Sequence, residues 1–223
     1  MTDDNGIAGT GIKLGITLYS LTSEFAAGLY TPETLIKAAA DHGLGPGIEF
    51  NIEGDPRPDF LALVHEVHPD QCTLVPVREG EVTSQAGWPP TTPVSALQET
   101  VRALRRDKIR VSIFIDPDLD AVRWASALDA DRIELYTEPY AKSFAAGGRE
   151  REESFARYAA AATLAHSLGL GINAGHDLDL KNLTLFRTLP HLDEVSIGHA
   201  LMSHALYVGL ETAVKDYLRV LAG

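Results

Sequence analysis

Hydrophobic positions in this chain fall into short apolar runs that alternate with stretches of helical spacing from residue 13 to the C-terminus. The runs are Lys13–Leu18, Gly47–Gly54, Cys72–Val77, Arg110–Ile115, Arg132–Tyr136, 170–176 and 195–199, and each predicts a strand. Between the first two, Thr31-Pro32-Glu33-Thr34 supplies a cap, a proline at the first helical position and an early acid, opening a helix that ends near His42-Gly43. Past the breaker cluster Asp55-Pro56-Arg57-Pro58, the positions Phe60, Leu61, Val64 and Val67 predict a helix of about ten residues. Further helices are predicted over Val94–Asp107, Asp118–Leu128, the alanine-rich Glu150–Leu168, Asp179–Leu189 and an amphipathic stretch through Leu221, with a short one from Ala200 to Tyr207. Tyr140–Arg149 reads as a loop or a short turn of helix. Arg78–Pro93, rich in Gly, Pro, Ser and Thr, is a long loop of the kind that is functional or mobile in a compact domain.

Strands joined by helices of this length run parallel, because a parallel return needs a long crossover, and such sheets are covered on both faces. The class is therefore α/β, a TIM-type (β/α) barrel of parallel strands. Seven strands are predicted where that barrel has eight, so one βα unit is missing from the count. Residues 1–12 are expected to form a disordered tail and 13–223 a single barrel domain.

The same pattern points to chemistry. The runs 170–176 and 195–199 end in Ala-Gly-His and Gly-His, which puts His176 and His199 at the carboxyl ends of strands, the edge where parallel barrels keep their active sites. Alternation places Glu49, Asn51 and Glu53 on one side of the second strand, with Ile48, Phe50 and Ile52 on the other. Glu134 sits inside a strand, where a buried carboxylate is costly unless paired.

Composition narrows the partners. The chain has 223 residues, 45% of them hydrophobic, enough for one large core, and no apolar run of the length that spans a membrane. A single cysteine, Cys72, allows no intrachain disulfide and suits a reducing, cytoplasmic setting. The net charge of −12 argues against nucleic acid or an anionic membrane as a partner, whereas a small anionic substrate can still meet a locally positive pocket. No phosphate-binding loop, dinucleotide fingerprint or HExxH motif occurs. Trp88 and Trp124 are expected in the core or at an interface, and Arg149–Glu153 on a solvated face.

The segments FNIEGDPRPDFL (50–61), QCTLVPV (71–77), GEVTSQAGW (80–88), RVSIFIDPD (110–118), RIELYTEPYA (132–141), LGLGINAGHDL (168–178) and DEVSIGHAL (193–201) carry a likeness to a known family. In order and spacing the chain resembles, from about Phe50 onward, the pyridoxine 5′-phosphate synthase family, barrel enzymes of vitamin B6 biosynthesis. The resemblance implies condensation of 3-amino-2-oxopropyl phosphate with 1-deoxy-D-xylulose 5-phosphate, closing a pyridine ring with loss of phosphate and water. It implies no metal and no other cofactor. It implies Glu53 as general base, His176 as general acid and Glu134 as the group that stabilises a charged transition state. Thr83 would contact the deoxyxylulose phosphate, and Asp177, Gly198 and His199 would bind phosphate through backbone N–H groups at a helix start. Phosphorylated substrates, inorganic phosphate and further copies of the chain are the partners it implies.

Lys13 to Phe50 resembles instead the first βα unit and second strand of a sugar-phosphate isomerase/epimerase barrel, with a junction at GIEF. A natural fusion, an engineered chimera and a damaged gene model would each read this way. The histidine and arginines that the synthase family carries in its first two units have no counterpart there, so weak or absent synthase activity is expected. Two other readings stand beside it: an isomerase/epimerase-like enzyme with Glu53, Glu134 and His176 as metal ligands, and a non-catalytic barrel scaffold.

Overall fold

A computed structural model describes residues 12–15, 50–77 and 84–223. Its strands are β1 (Lys13–Gly15), β2 (Asn51–Gly54), β3 (Gln71–Leu74), β4 (Arg110–Ile115), β5 (Arg132–Tyr136), β6 (Gly171–Gly175) and β7 (Leu192–Ser196). All pair in parallel in one sheet, in the order β1-β7-β6-β5-β4-β3-β2. The first strand thus lies beside the last, as it does when a (β/α) barrel curls round on itself. Seven strands among the described residues match the number that the sequence predicts. The tail before residue 12, the helix predicted from Thr31 and Thr83 lie outside the described residues.

Helices fill the crossovers: α1 (Pro58–Val67), α2 (Val94–Arg106), α3 (Leu119–Ala127), α4 (Glu138–Ala146), α5 (Gly148–Ser167), α6 (Leu183–Phe186), α7 (His199–Val208) and α8 (Leu210–Ala222). Every second strand residue, including Cys72, Leu74, Val111, Ile113, Ile115, Ile133, Leu135, Ile172, Ala174 and Val195, joins one buried cluster with the apolar faces of these helices. The other alternation points inward and is mostly polar, apart from a small cluster of Val75, Phe114 and Tyr136.

Three boundaries differ from expectation. Residues 138–146 form a nine-residue helix, longer than the loop or short turn of helix expected from Tyr140, because Glu138-Pro139 is itself a start signal, with an acid and a proline in the first turn. Only Leu183–Phe186 of the predicted Asp179–Leu189 helix is α-helical. Asp179 and Asn182 spend their side chains on nearby backbone N–H groups, at 2.8 to 2.9 Å, which favours a turn over a helix. The last strand begins at Leu192 and ends before Gly198-His199, which open α7.

The described part of the long loop is packed down. Trp88 donates its backbone N–H to the Phe114 carbonyl at 2.9 Å and its indole N–H to the Leu74 carbonyl at 3.0 Å. Its ring stands 6.4 Å from that of Trp124, so both tryptophans help seat the loop on β4 and α3. A side chain at Gly87 would put Cβ only 2.3 Å from the Ile115 Cα, against backbone that cannot yield. Gly87→Ala is expected to cost about 1–3 kcal/mol, the usual range for overpacking, measured by urea denaturation. A variant of wild-type stability would show that the loop does not press on β4.

Candidate active site

The inward positions of the strands carry Asn51, Glu53, Gln71, Thr73, Ser112, Arg132, Glu134, Asn173 and Glu194, and the sheet register stacks them in layers. Glu53 is level with Thr73 and Ser112, and Glu134 is level with Asn173 and Glu194. Hydrogen bonds link the side chains on this face, within and between strands. Thr73 Oγ1 donates to Asn51 Oδ1 at 3.1 Å, Asn51 Nδ2 to Glu53 Oε1 at 2.9 Å, and Arg132 Nη1 to Asn173 Oδ1 at 2.7 Å. The Arg132 guanidinium also lies 4.0 Å from Glu194 Oε2.

Burial here is only partly compensated. Gln71 Nε2, Ser112 Oγ, Glu134 Oε2 and Asn173 Nδ2 are buried without a hydrogen-bond partner among the described residues. A core of this kind would be costly if dry and apolar in purpose; it fits a hollow that receives polar groups.

Three carboxyl groups crowd this hollow. Burial, then repulsion from Glu194, pushes the Glu53 carboxyl up to about 7, against the hydrogen bond from Asn51 that favours its ionised form. Glu53 is open to water by area yet surrounded by protein, as a group within a cavity is. Glu134, 2% exposed, is pushed well above the usual carboxylate range by burial, then by Glu53 and Glu194, with Thr73 opposing. Burial and its two carboxylate neighbours thus favour the protonated form of Glu134, while Glu53 is poised between its two forms near neutral pH. A Cβ on Gly175 would come 2.5 Å from Glu134 Oε1, so a side chain there would push that carboxyl aside.

His176 follows Gly175 at the rim. Its ring meets those of Phe114 (5.5 Å) and Tyr136 (5.2 Å, edge-on), which with Val75 form a small apolar cluster on the inward face. Burial pushes the imidazole below the ordinary histidine value, while Asp177 and Glu138 draw it back up. A cavity of about 460 Å³ opens here, lined by Ser84, Gln85, Tyr136, Glu138, Lys142, His176 and Asp177. The Tyr136 hydroxyl donates to Glu138, which also pairs with Lys142 at 2.6 Å, and these bonds hold the Glu138 carboxyl below its ordinary value.

The residues expected from the sequence therefore fall into two groups. Glu53 and Glu134 share the hollow with Glu194, and His176 and Asp177 share the rim cavity directly above Gly175. Gly198 caps α7 and His199 is its exposed first residue; no hydrogen bond or ion pair joins either to the other site residues among the described residues. Glu194, Thr137 and Asn182 are not among the residues to which the sequence points. Glu194 falls outside the strand predicted from 195, and the other two act through backbone contacts that no residue pattern announces.

The fold and this arrangement define a (β/α) barrel protein with titratable groups gathered on the inward face of its strands and at their carboxyl rim. A family model, the pyridoxal phosphate biosynthesis protein PdxJ, matches residues 35–223, and the chain belongs to that family. Pyridoxine 5′-phosphate synthase of Cytophaga hutchinsonii is 53% identical over 174 residues, covering 78% of this chain and 72% of that protein. The protein of the same name from Porphyromonas gingivalis is 50% identical over 175 residues, with the same coverage of both chains. Among solved structures, a 3-hexulose-6-phosphate synthase superposes with a TM-score of 0.53 at 13% identity, covering 94% of this chain and 99% of that one, a likeness of fold alone. The family match begins well before Phe50, so it takes in residues 35–50, which resemble an isomerase/epimerase unit by sequence alone.

Proposed function

We propose that this chain carries the pyridoxine 5′-phosphate synthase-type condensation of 3-amino-2-oxopropyl phosphate with 1-deoxy-D-xylulose 5-phosphate, at a rate well below that of an ordinary enzyme. The observation that carries this reading is the pairing of Glu53, pushed up to about 7, with Glu134, whose carboxyl is also pushed up by burial and by Glu53 and Glu194, in the same chain as a half-buried His176 and in that family. Schiff-base formation, enolisation and dehydration each move a proton at a fixed atom, and a carboxyl near pH 7 both takes and gives one. Glu53 acts as general base, His176 as general acid, and Glu134 donates a hydrogen bond to developing negative charge. Thr83 and the backbone N–H groups of Asp177, Gly198 and His199 hold substrate phosphate.

The reduced rate follows from the sequence between Lys13 and Phe50, which lacks the family's N-terminal histidine and arginines. Loss of one well-placed charged contact costs a few kcal/mol, about a hundredfold in rate. A coupled assay for pyridoxine 5′-phosphate at high protein concentration is expected to find turnover about a hundredfold below the ordinary median of about 10 s⁻¹. Turnover at that median would refute the slow rate, and none at all would leave the scaffold reading in its place.

The isomerase/epimerase-like alternative has less support: among the described residues no group of three or more His, Cys, Asp or Glu side chains is arranged to hold a metal ion. No helix among the described residues is long and apolar enough to cross a membrane, and a buried, unpaired Cys72 accords with a cytoplasmic home. Assembly into a homo-oligomer belongs to the same proposal, and the exposed Leu206 and Tyr207 of α7, 85% and 90% accessible, supply apolar surface for it.

A further inference from the structure

We propose that Thr137 is a positioning residue that sets the direction of the His176 imidazole by holding the backbone of the turn after β6, which deepens the reading of His176 as a proton donor and rests on it. The turn is a conformation the chain does not adopt unaided. His176 has φ 85° and Asp177 φ 56°, two successive residues in the left-handed region without a glycine between them. Each such residue costs about 1–2 kcal/mol and persists only where the surroundings over-determine it.

Three successive carbonyls are held from outside. The Gly175 carbonyl accepts the Thr137 backbone N–H at 2.9 Å and lies 2.6 Å from Thr137 Oγ1. The His176 carbonyl accepts from the same Oγ1, and the Asp177 carbonyl accepts from Asn182 Nδ2 at 2.8 Å. A hydroxyl has one proton, and since the backbone N–H already serves Gly175, that proton is free for His176. With the peptide groups on both sides of His176 fixed, the Cα–Cβ bond has one direction, and the ring is delivered between Phe114 and Tyr136.

Thr137 is fully buried and occupies the N-cap position of α4, where a threonine hydroxyl ordinarily accepts from the helix's own N–H groups. Here it makes no such bond. The residue forgoes its local structural part and applies its hydroxyl to the neighbouring turn, a choice that helix stability does not explain.

Thr137→Val is nearly isosteric and lacks the hydroxyl; Thr137→Ser keeps it. In Thr137→Val, kcat is expected to fall about tenfold or more while KM moves less than about threefold, the split of a misaimed acid. The NMR titration of His176 should move up towards ordinary histidine as the ring leaves its aromatic slot, with Asp177 and Glu138 favouring the charged form and Lys142 opposing it. Thr137→Ser should restore both. Because the titration needs no turnover, it reads the role of Thr137 even in a chain without synthase activity, whereas inactive wild type counts against the proposed function instead. If Thr137→Val does not fold, Asn182→Ala frees the Asp177 carbonyl and should give the same signature. Wild-type kcat and titration in the valine or alanine variant, equal losses in the serine and valine variants, or thermal loss with an unmoved titration would each overturn the proposal.

Discussion

Glu53→Gln is expected to lower turnover by about a hundredfold to ten-thousandfold, the range that one positioned acid–base group supplies, while leaving the protein folded. Glutamine keeps the shape and can still accept the 2.9 Å hydrogen bond from Asn51 Nδ2. Stability should respond with a definite sign. The ordinary glutamate value is about 4.3, and in the folded protein burial and Glu194 push Glu53 to about 7. Between those values the unfolded chain has released its proton and the folded one has kept it. Stability therefore falls as pH rises through that window: the favourable contribution is full below about 4.3 and gone above about 7. Glutamine does not titrate, so the variant should gain on wild type between pH 5 and pH 8, read as the difference in urea midpoints. Glu194→Gln, which removes the repulsion but not the burial, should shift the acid limb of the rate profile to lower pH. Parallel pH profiles for wild type and Glu53→Gln, or turnover within a few-fold of wild type, would remove Glu53 from the mechanism.

That prediction draws on a feature the chain displays openly. Polar residues recur at every second position of its strands, and the inference that Asn51 and Glu53 share a side holds in the bond between them. Glu134, read as buried inside its strand, is buried. Glu194 was missed for a physical reason: Ile197 is itself buried beyond the strand's end, so the apolar run extends past the ladder and drags the predicted strand three residues too far. The turn at His176 was illegible for another. Nothing in the residue types of His-Asp demands a positive φ; the demand comes from Thr137 and Asn182, held on other elements, and a single sequence does not show which side chain reaches which carbonyl. Helix α4 is longer than the short turn expected, because Glu138-Pro139 starts it two residues before Tyr140 and Gly147 ends it.

Tyr140→Ala is expected to be the most destabilising single change in the described fold outside the sheet, by about 3–5 kcal/mol in urea unfolding. Its side chain is wholly buried and packs against Phe144, Phe155, Tyr158 and Phe186 at centroid distances of 4.8 to 6.3 Å, tying α4, α5 and α6 into one aromatic cluster. Removing the ring leaves a cavity that four neighbouring rings on three helices cannot close. Tyr140→Phe keeps the ring and loses only the 2.8 Å bond from the hydroxyl to the Asn182 carbonyl, for about 1 kcal/mol. The two variants separate packing from function, because Asn182 is the residue that holds the Asp177 carbonyl. Phenylalanine should leave the cluster intact yet loosen the turn that carries His176, so a small loss of stability should accompany a disproportionate loss of rate. Alanine at wild-type stability would show that the cluster does not bear on folding. Phenylalanine with unchanged turnover would show that Asn182 is held well enough without the tyrosine hydroxyl.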